Sequence, residues 1–408
     1  MRVLILALAL QSVFGVWKSQ KKDVGTKRSG SGSMLEGVEN YAVLNKKESA
    51  EMKSKKMSYI KQRKELLLNK GEQTLLLGEE SVTAERDTYK VVLTAVGGVS
   101  EYTGVIKIGS PQRQPLDCIM DTGSSIAWVF STLCDLEICQ EKHQFDGEKS
   151  ETYTKGKDGM SVQFGTGSLE GVISKDDIDL GGLMIPDQPF GEIERPYGNV
   201  FSLEFDGICG LSYPMASANT SLLAGLNATQ AEEDKSMTFY FGKNEQALIM
   251  GKPPSKFVKG ASWYDVTREF YWETTLKDVT IGGESIMSGL IESDKAPAVV
   301  FDTGTSVLTM PSNYARSALA MLGSKSLTCQ DIVDGKGPAV CYHFDGMDDI
   351  CIKDWYEVGD EGCQANLMDL DLTKEDVFIL GQPFFSEFVT TFDIANNKVG
   401  VKPVKHLL

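Results

Sequence analysis

Two aspartates keep the company that carboxyl chemistry needs. Asp121 lies in "CIMDTGSSIAWVF" (118–130) and Asp302 in "VVFDTGTSVLTMP" (299–311), so the run apolar-apolar-Asp-Thr-Gly-Ser/Thr-Ser-apolar occurs twice, 181 residues apart. One Asp-Thr-Gly is a weak signal, because Asp and Gly are ordinary turn residues. Two copies, each led in by a β-rich apolar run, point elsewhere. The lead-in places each aspartate at the end of a buried strand, where glycine lets backbone come close and the Thr and Ser hydroxyls bond locally. If a pseudo-twofold axis relates the two segments, the carboxyls meet on it. Two carboxylates that close cannot both ionise, so they share a proton and split their titrations. The ionised member then takes a proton from water while its partner donates to a carbonyl oxygen, which is hydrolysis without a metal or a nucleophilic side chain.

Such a pair must be held by two similar lobes, and the echo continues beyond the aspartates. "DGICGLSYP" (206–214) follows the first copy and "VFILGQPFF" (377–385) the second. Short stretches of Val, Ile, Tyr, Phe and Thr between Gly, Asn and Asp turns predict a mainly β, bilobal fold. Helix signals are few; the best is "SNYARSALAMLG" (312–323), with Ser312 as cap and Gly323 as stop. The expected division is a signal peptide over 1–15, a basic propeptide over 16–90, an N-terminal β lobe over 91–265 and a C-terminal β lobe over 266–408.

The first two assignments rest on the leader and on charge. "MRVLILALALQSVFG" sets Arg2 before a short apolar run, the pattern of a secretory leader rather than of a membrane span. Between Lys18 and Lys70 there are fourteen Lys/Arg against six Asp/Glu, whereas the whole chain carries −16. A nucleic-acid arm is excluded by the acidic remainder, which repels phosphate. A cationic segment held on an acidic body at neutral pH, and released when carboxylates protonate, fits better. No later stretch is apolar enough to span a membrane. A monomer is expected in the secretory pathway, secreted or in an acidic endolysosomal or secretory organelle.

Eight cysteines in such a chain favour disulfides, and no Cys-x-x-Cys or His-x-x-x-His pair argues for a metal. Neither metal nor cofactor is expected. Cys134 and Cys139 are close enough to close a tight loop. Cys329, Cys341, Cys351 and Cys363 allow three pairings, one of them nested, and Cys118 with Cys209 either pair or remain buried thiols. The three histidines, His143, His343 and His406, have no partner spacing and read as surface or loop residues. Asn219 and Asn227 head glycosylation sequons expected on an exposed loop. "SVQFGTGSLEG" (161–171) looks at first like a phosphate cradle, but its glycines are spaced G-x-G-x-x-x-G and no helix signal follows. With the aspartate pair it reads as a β-hairpin flap at Phe164, Gly165, Thr166 and Gly167.

From about Glu101 onward, roughly three quarters of the chain, the sequence resembles the pepsin-like aspartic proteases. The match rests on "EYTGVIKIGSPQRQ" (101–114), "DTGSS" (121–125) with Trp128 beyond it, "FGTGS" (164–168), "FDGICGLSYP" (205–214), "REFYWETTL" (268–276), "VVFDTGTS" (299–306) and "FILGQPFFSEFVTTFDIANNKVGV" (378–401). The resemblance implies an acid protease fold and a cleft for an extended peptide substrate, with the propeptide as a second partner. It makes Asp121 and Asp302 the catalytic pair. Thr122 and Thr303, beside Gly123 and Gly304, would tie the loops together by hydroxyl-to-backbone bonds, while Ser124 and Thr305 would bond the outer carboxylate oxygens. Trp128, Ile208 and Tyr271 would line the S1 side of the cleft. Cys134–Cys139 and Cys329–Cys363 match usual family bridges, which leaves Cys341–Cys351 as an addition. Relatives with alanine in place of Thr305 work nearer neutrality, so threonine implies an acidic optimum.

Two positions depart from the pattern. Gln382 replaces the usual aspartate and reads as a lobe-edge change with little effect on the pair. Phe164 replaces the flap tyrosine, whose hydroxyl bonds toward the indole at the position of Trp128; this resembles maturases of the apicomplexan, plasmepsin-like type. The alternative of a catalytically weak or inactive peptide-binding protein conflicts with two intact aspartate motifs.

Overall fold

A computed structural model describes residues 88–96, 101–164, 167–198, 205–214, 220–242, 245–288, 296–325, 327–359, 362–371 and 376–406. Every described residue belongs to one compact unit, the body, which includes Arg86–Leu408. The expected signal peptide and nearly all of the expected propeptide lie outside the described residues. The body's β-structure reaches back to Thr88, which pairs with Gly251.

Most of the body is strand. A thirteen-stranded sheet runs from Ser262–Asp265 through Lys398–Pro403, Phe388–Asp393, Ser236–Phe241, Gln246–Gly251, Thr88–Val96, Glu101–Ile108, Gln114–Asp121, Gly207–Gly210, Trp128–Phe130 and Leu183–Gly198 to the hairpin of Gly167–Leu180 and Gly159–Phe164. A six-stranded sheet follows the order Arg268–Glu269, Trp272–Thr275, Ala298–Phe301, Val377–Leu380, Leu308–Met310 and Leu367–Asp369. The last strands of the chain thus join the first sheet, and the two halves share one continuous core. Trp272 meets Phe392 edge-on at 5.0 Å and Tyr213 at 4.8 Å. Its indole N–H donates to the Leu211 carbonyl at 2.9 Å, and the Ser212 hydroxyl to that of Phe270 at 3.1 Å. Trp272, Phe239, Phe301 and Phe392 are fully buried, each adding about 1.5–3 kcal/mol of apolar transfer.

The wiring around each aspartate motif is repeated. Gln114–Asp121 pairs in parallel with Gly207–Gly210, which pairs antiparallel with Trp128–Phe130, which in turn lies parallel to Leu183–Gly198. Ala298–Phe301 pairs in parallel with Val377–Leu380, then antiparallel with Leu308–Met310, then parallel with Leu367–Asp369. Gly210 and Gly381 lie under the crossing loops. A Cβ on Gly210 would strike the backbone of Ile126, and one on Gly381 the carbonyls of Thr305 and Val307. Two such crossings in one chain carry the pseudo-twofold, mainly β architecture.

The expected helix exists, with different ends. It spans Ser312–Ser324 and buries Tyr314, Ala315 and Ala318. Pro311, not Ser312, is the capping residue, and Gly323 lies inside the last turn. The Ser312 hydroxyl is drawn instead to Asp371 at 2.7 Å and Asp369 at 3.1 Å, so a tertiary contact overrides the local cap. Asn227 is exposed but sits on the helix Leu222–Thr229 rather than on a loop, because Ser221 caps a run of Leu and Ala ahead of it. Asn219 lies outside the described residues. Among the described residues no helix is long and apolar enough to cross a membrane.

Cys134–Cys139 and Cys341–Cys351 are disulfides. Cys363 is disulfide-bonded as well, while the side chain of Cys329, its expected partner, lies outside the described ones. Cys118 and Cys209 are both buried free thiols rather than a bridge. They sit on adjacent strands out of direct register, Cys118 facing Gly207 and Cys209 facing Met120.

Candidate active site

Asp121 ends a strand whose last four residues are buried, and Asp302 follows the apolar run Val299–Phe301. Each aspartate is only 2% exposed. The following Thr-Gly turns approach so closely that only glycine fits: a Cβ on Gly123 would sit among the carboxylate atoms of Asp302, and one on Gly304 among those of Asp121. The threonines between them lock the approach. Thr122 N–H donates to the Thr303 hydroxyl and Thr303 N–H to the Thr122 hydroxyl, both at 3.0 Å. Those hydroxyls donate in turn to the carbonyls of Phe301 (2.9 Å) and Met120 (2.6 Å).

The two carboxyls are electrostatically unequal. Burial pushes Asp121 well above the usual carboxylate range, and the neighbouring Asp302 charge pushes it further, against weaker pulls from the Gly123 and Ser124 amides. Burial also raises Asp302, but the Thr305 hydroxyl opposes it first, followed by Asp121 and the Gly304 and Gly123 amides. The distances agree: Asp302 accepts from Thr305 Oγ1 at 2.5 Å and from Gly304 N at 2.7 Å, whereas Asp121 accepts from Gly123 N at 2.8 Å. The pair therefore holds one proton over a range of pH, and Asp302 carries the charge more readily.

The model of the eukaryotic aspartyl proteases matches residues 101–404. This chain belongs to that family. It is 32% identical over 323 residues to gastricsin of Mus musculus, covering 74% of this chain and 81% of that protein. Pepsin A of Bos taurus is 31% identical over 320 residues, 75% of this chain and 84% of its own. Cathepsin E-A of Xenopus laevis is 32% identical over 321 residues, covering 74% and 79%. The protein is an aspartic endopeptidase, a hydrolase of peptide substrates.

Two supporting residues of the protease stand elsewhere than expected. The Ser124 hydroxyl does not reach the Asp121 carboxylate; it accepts from Ile126 N at 3.1 Å and donates to the Ile126 carbonyl at 3.3 Å. A tight local turn claims that hydroxyl, and the Ser124 main-chain amide faces Asp121 in its place. Gln382 is no lobe-edge residue. It is 5% exposed, its side-chain amide donates to the Thr303 carbonyl at 3.1 Å, and its own N–H donates to the Thr305 carbonyl at 2.9 Å. An ionised aspartate here would have no proton to offer that carbonyl.

Trp128 and Ile208 lie opposite each other on neighbouring strands, both 2% exposed. They share a cluster with Phe130, Phe205 and with Met160, Val162 and Leu169 of the strands Gly159–Phe164 and Gly167–Leu180. Phe164 pairs with Gly167 where the strand Gly159–Phe164 runs beside Gly167–Leu180. Gly165, Thr166 and the Phe164 side chain, expected in the flap, lie outside the described residues. Tyr271 packs instead in the second half with Val300, Leu370, Val377 and Ile379. Its phenol is pushed above its usual range by burial first and by the Asp302 charge next, which puts it within electrostatic reach of the pair.

Proposed function

We propose that Asp121 and Asp302 are the catalytic pair of an acid endopeptidase made as a secretory zymogen. The observation that carries the reading is the mutual approach of the two Thr-Gly turns, each glycine against the opposite carboxylate. With Asp302 charged and Asp121 protonated, Asp302 takes a proton from a water that attacks the scissile carbonyl, and Asp121 donates its proton to the carbonyl oxygen. The tetrahedral diol then collapses: a hydroxyl proton returns to Asp121, the proton on Asp302 passes to the leaving nitrogen, and the C–N bond breaks. The Thr305 bond to Asp302, which favours the ionised carboxylate against its burial, supports an acidic optimum.

Peptide would lie extended across the cleft, under the flap of Phe164, Gly165, Thr166 and Gly167, with Trp128, Ile208 and Tyr271 beside it. The basic segment over 16–90 is the propeptide in this reading, and the lobes divide near residue 265. The secretory leader supports synthesis into the secretory pathway, and the phenylalanine flap supports a maturase of other secreted proteins. Both intact motifs favour cleavage over peptide binding alone.

Asp121→Asn and Asp302→Asn in the activated, purified chain are expected to lower turnover of a peptide library by at least about 1000-fold. Unchanged turnover in either variant would overturn the assignment. N-terminal sequencing of the mature form is expected to place the processing site between Gly71 and Gly98.

A further inference from the structure

We propose that Asp117, His143 and Asp206 form a zinc site on the N-terminal half of the body, separate from the aspartate pair. One donor atom of each residue lies within 4.8 Å of the others. His143 Nδ1 and Asp206 Oδ2 stand 3.0 Å apart, about the separation that two ligands keep around a zinc bound at 2.0–2.2 Å. Asp117 adds a second carboxylate. Two carboxylates around one imidazole carry more negative charge than the ring offsets even when protonated.

The site is built rather than accidental. Asp206 is 4% exposed, and its carboxylate is fixed by the main-chain amides of His143 (2.9 Å, Oδ1) and Asp117 (2.9 Å, Oδ2). Asp206 N–H donates to the Asp117 carbonyl at 2.7 Å, which pins the two acidic residues to each other. Such outer bonds orient a ligating carboxylate. The His143 side chain is 77% exposed, so metal enters from solvent and a water completes the four ligands. On binding, zinc takes the place of the proton between Nδ1 and Oδ2; the ring keeps its proton on Nε2, and any displaced proton leaves to solvent. Nitrogen with carboxylate oxygen is a donor set for zinc rather than magnesium. The bound ion would staple the segment after Cys139 to the strand that ends in Asp121.

The test uses the full chain, stripped with EDTA, dialysed, and titrated with zinc chloride at pH 7 by calorimetry and thermal melting. One zinc per chain is expected, with a rise in Tm of about 3 °C or more at saturation. His143→Ala and Asp117→Asn are each expected to weaken binding at least about 10-fold, Asp121→Asn to leave it unchanged, and magnesium to give no shift. Asp117→Asn is nearly isosteric, and near-UV circular dichroism matching the wild type shows that it is folded. Absence of saturable zinc binding, equal affinity in either ligand variant, loss of binding in Asp121→Asn, or an equal response to magnesium would overturn the site.

Discussion

Thr122 and Thr303 bond each other reciprocally, each main-chain N–H to the other's hydroxyl at 3.0 Å, so the residue beside each aspartate is fixed by the opposite half of the molecule. Each hydroxyl also donates onward across the same boundary, to Phe301 and to Met120. The geometry of the pair is therefore a property of the interface, not of either loop alone.

Thr303→Val keeps the shape but strips the Thr122 amide of its acceptor and the Met120 carbonyl of its donor. We expect about 1–3 kcal/mol of lost stability, read as a lower urea midpoint, together with a fall in kcat larger than any change in KM. Thr303→Ser restores most of both. A Val variant with wild-type kcat would show that the cross-bonds do not position the carboxyls.

Thr305→Ala removes the shortest hydrogen bond to Asp302. A bond to a charged group is worth about 1.5–3 kcal/mol, or about one to two units of pKa. Asp302 then ionises at higher pH, and the acid limb of the kcat/KM profile moves upward by about one unit. An unmoved limb would mean that Thr305 does not tune the pair.

Stability should depend on the pair in a definite direction. Both carboxyls are raised in the folded state, so above about pH 4 the folded protein holds protons that the unfolded chain has released. Their contribution is complete below that pH and is lost as pH rises through the folded titration. Asp121→Asn removes the more strongly raised group, so its Tm should exceed the wild-type value near pH 7 and converge with it below about pH 4. A constant difference across that range would contradict the assignment.

Gln382→Glu, which keeps the reach of the side chain, sets a carboxyl against the Thr303 carbonyl. Protonated, it can still donate; ionised, it repels the oxygen and has lost its partner. We expect near-wild-type melting at low pH and a loss of about 1–3 kcal/mol near neutrality, measured by denaturant titration at both. Equal losses at the two pH values would point to shape rather than to the hydrogen bond.

Much was legible in the residues because the motif repeats. The doubled Asp-Thr-Gly, the paired glycines 210 and 381 and the alternation of apolar residues are local patterns, and each follows from strand and turn chemistry. Other features were illegible for a shared reason: they depend on atoms that meet from distant segments. Ser124 spends its hydroxyl on Ile126, and Ser312 spends its own on Asp369 and Asp371, although each has the right type for another task. Gln382 read as an edge change because nothing nearby in the chain announces the Thr303 carbonyl above it.

By itself the sequence determined the family and the β class and singled out the two aspartates as the proposed pair, since these rest on residue types at short spacing. Tertiary structure alone decided which carboxyl is better solvated by donors, where each hydroxyl is spent, and that Asp117, His143 and Asp206 converge from three segments. Hydrogen bonds and desolvation act over a few ångströms of space, and spacing along a chain does not record which segments will share them.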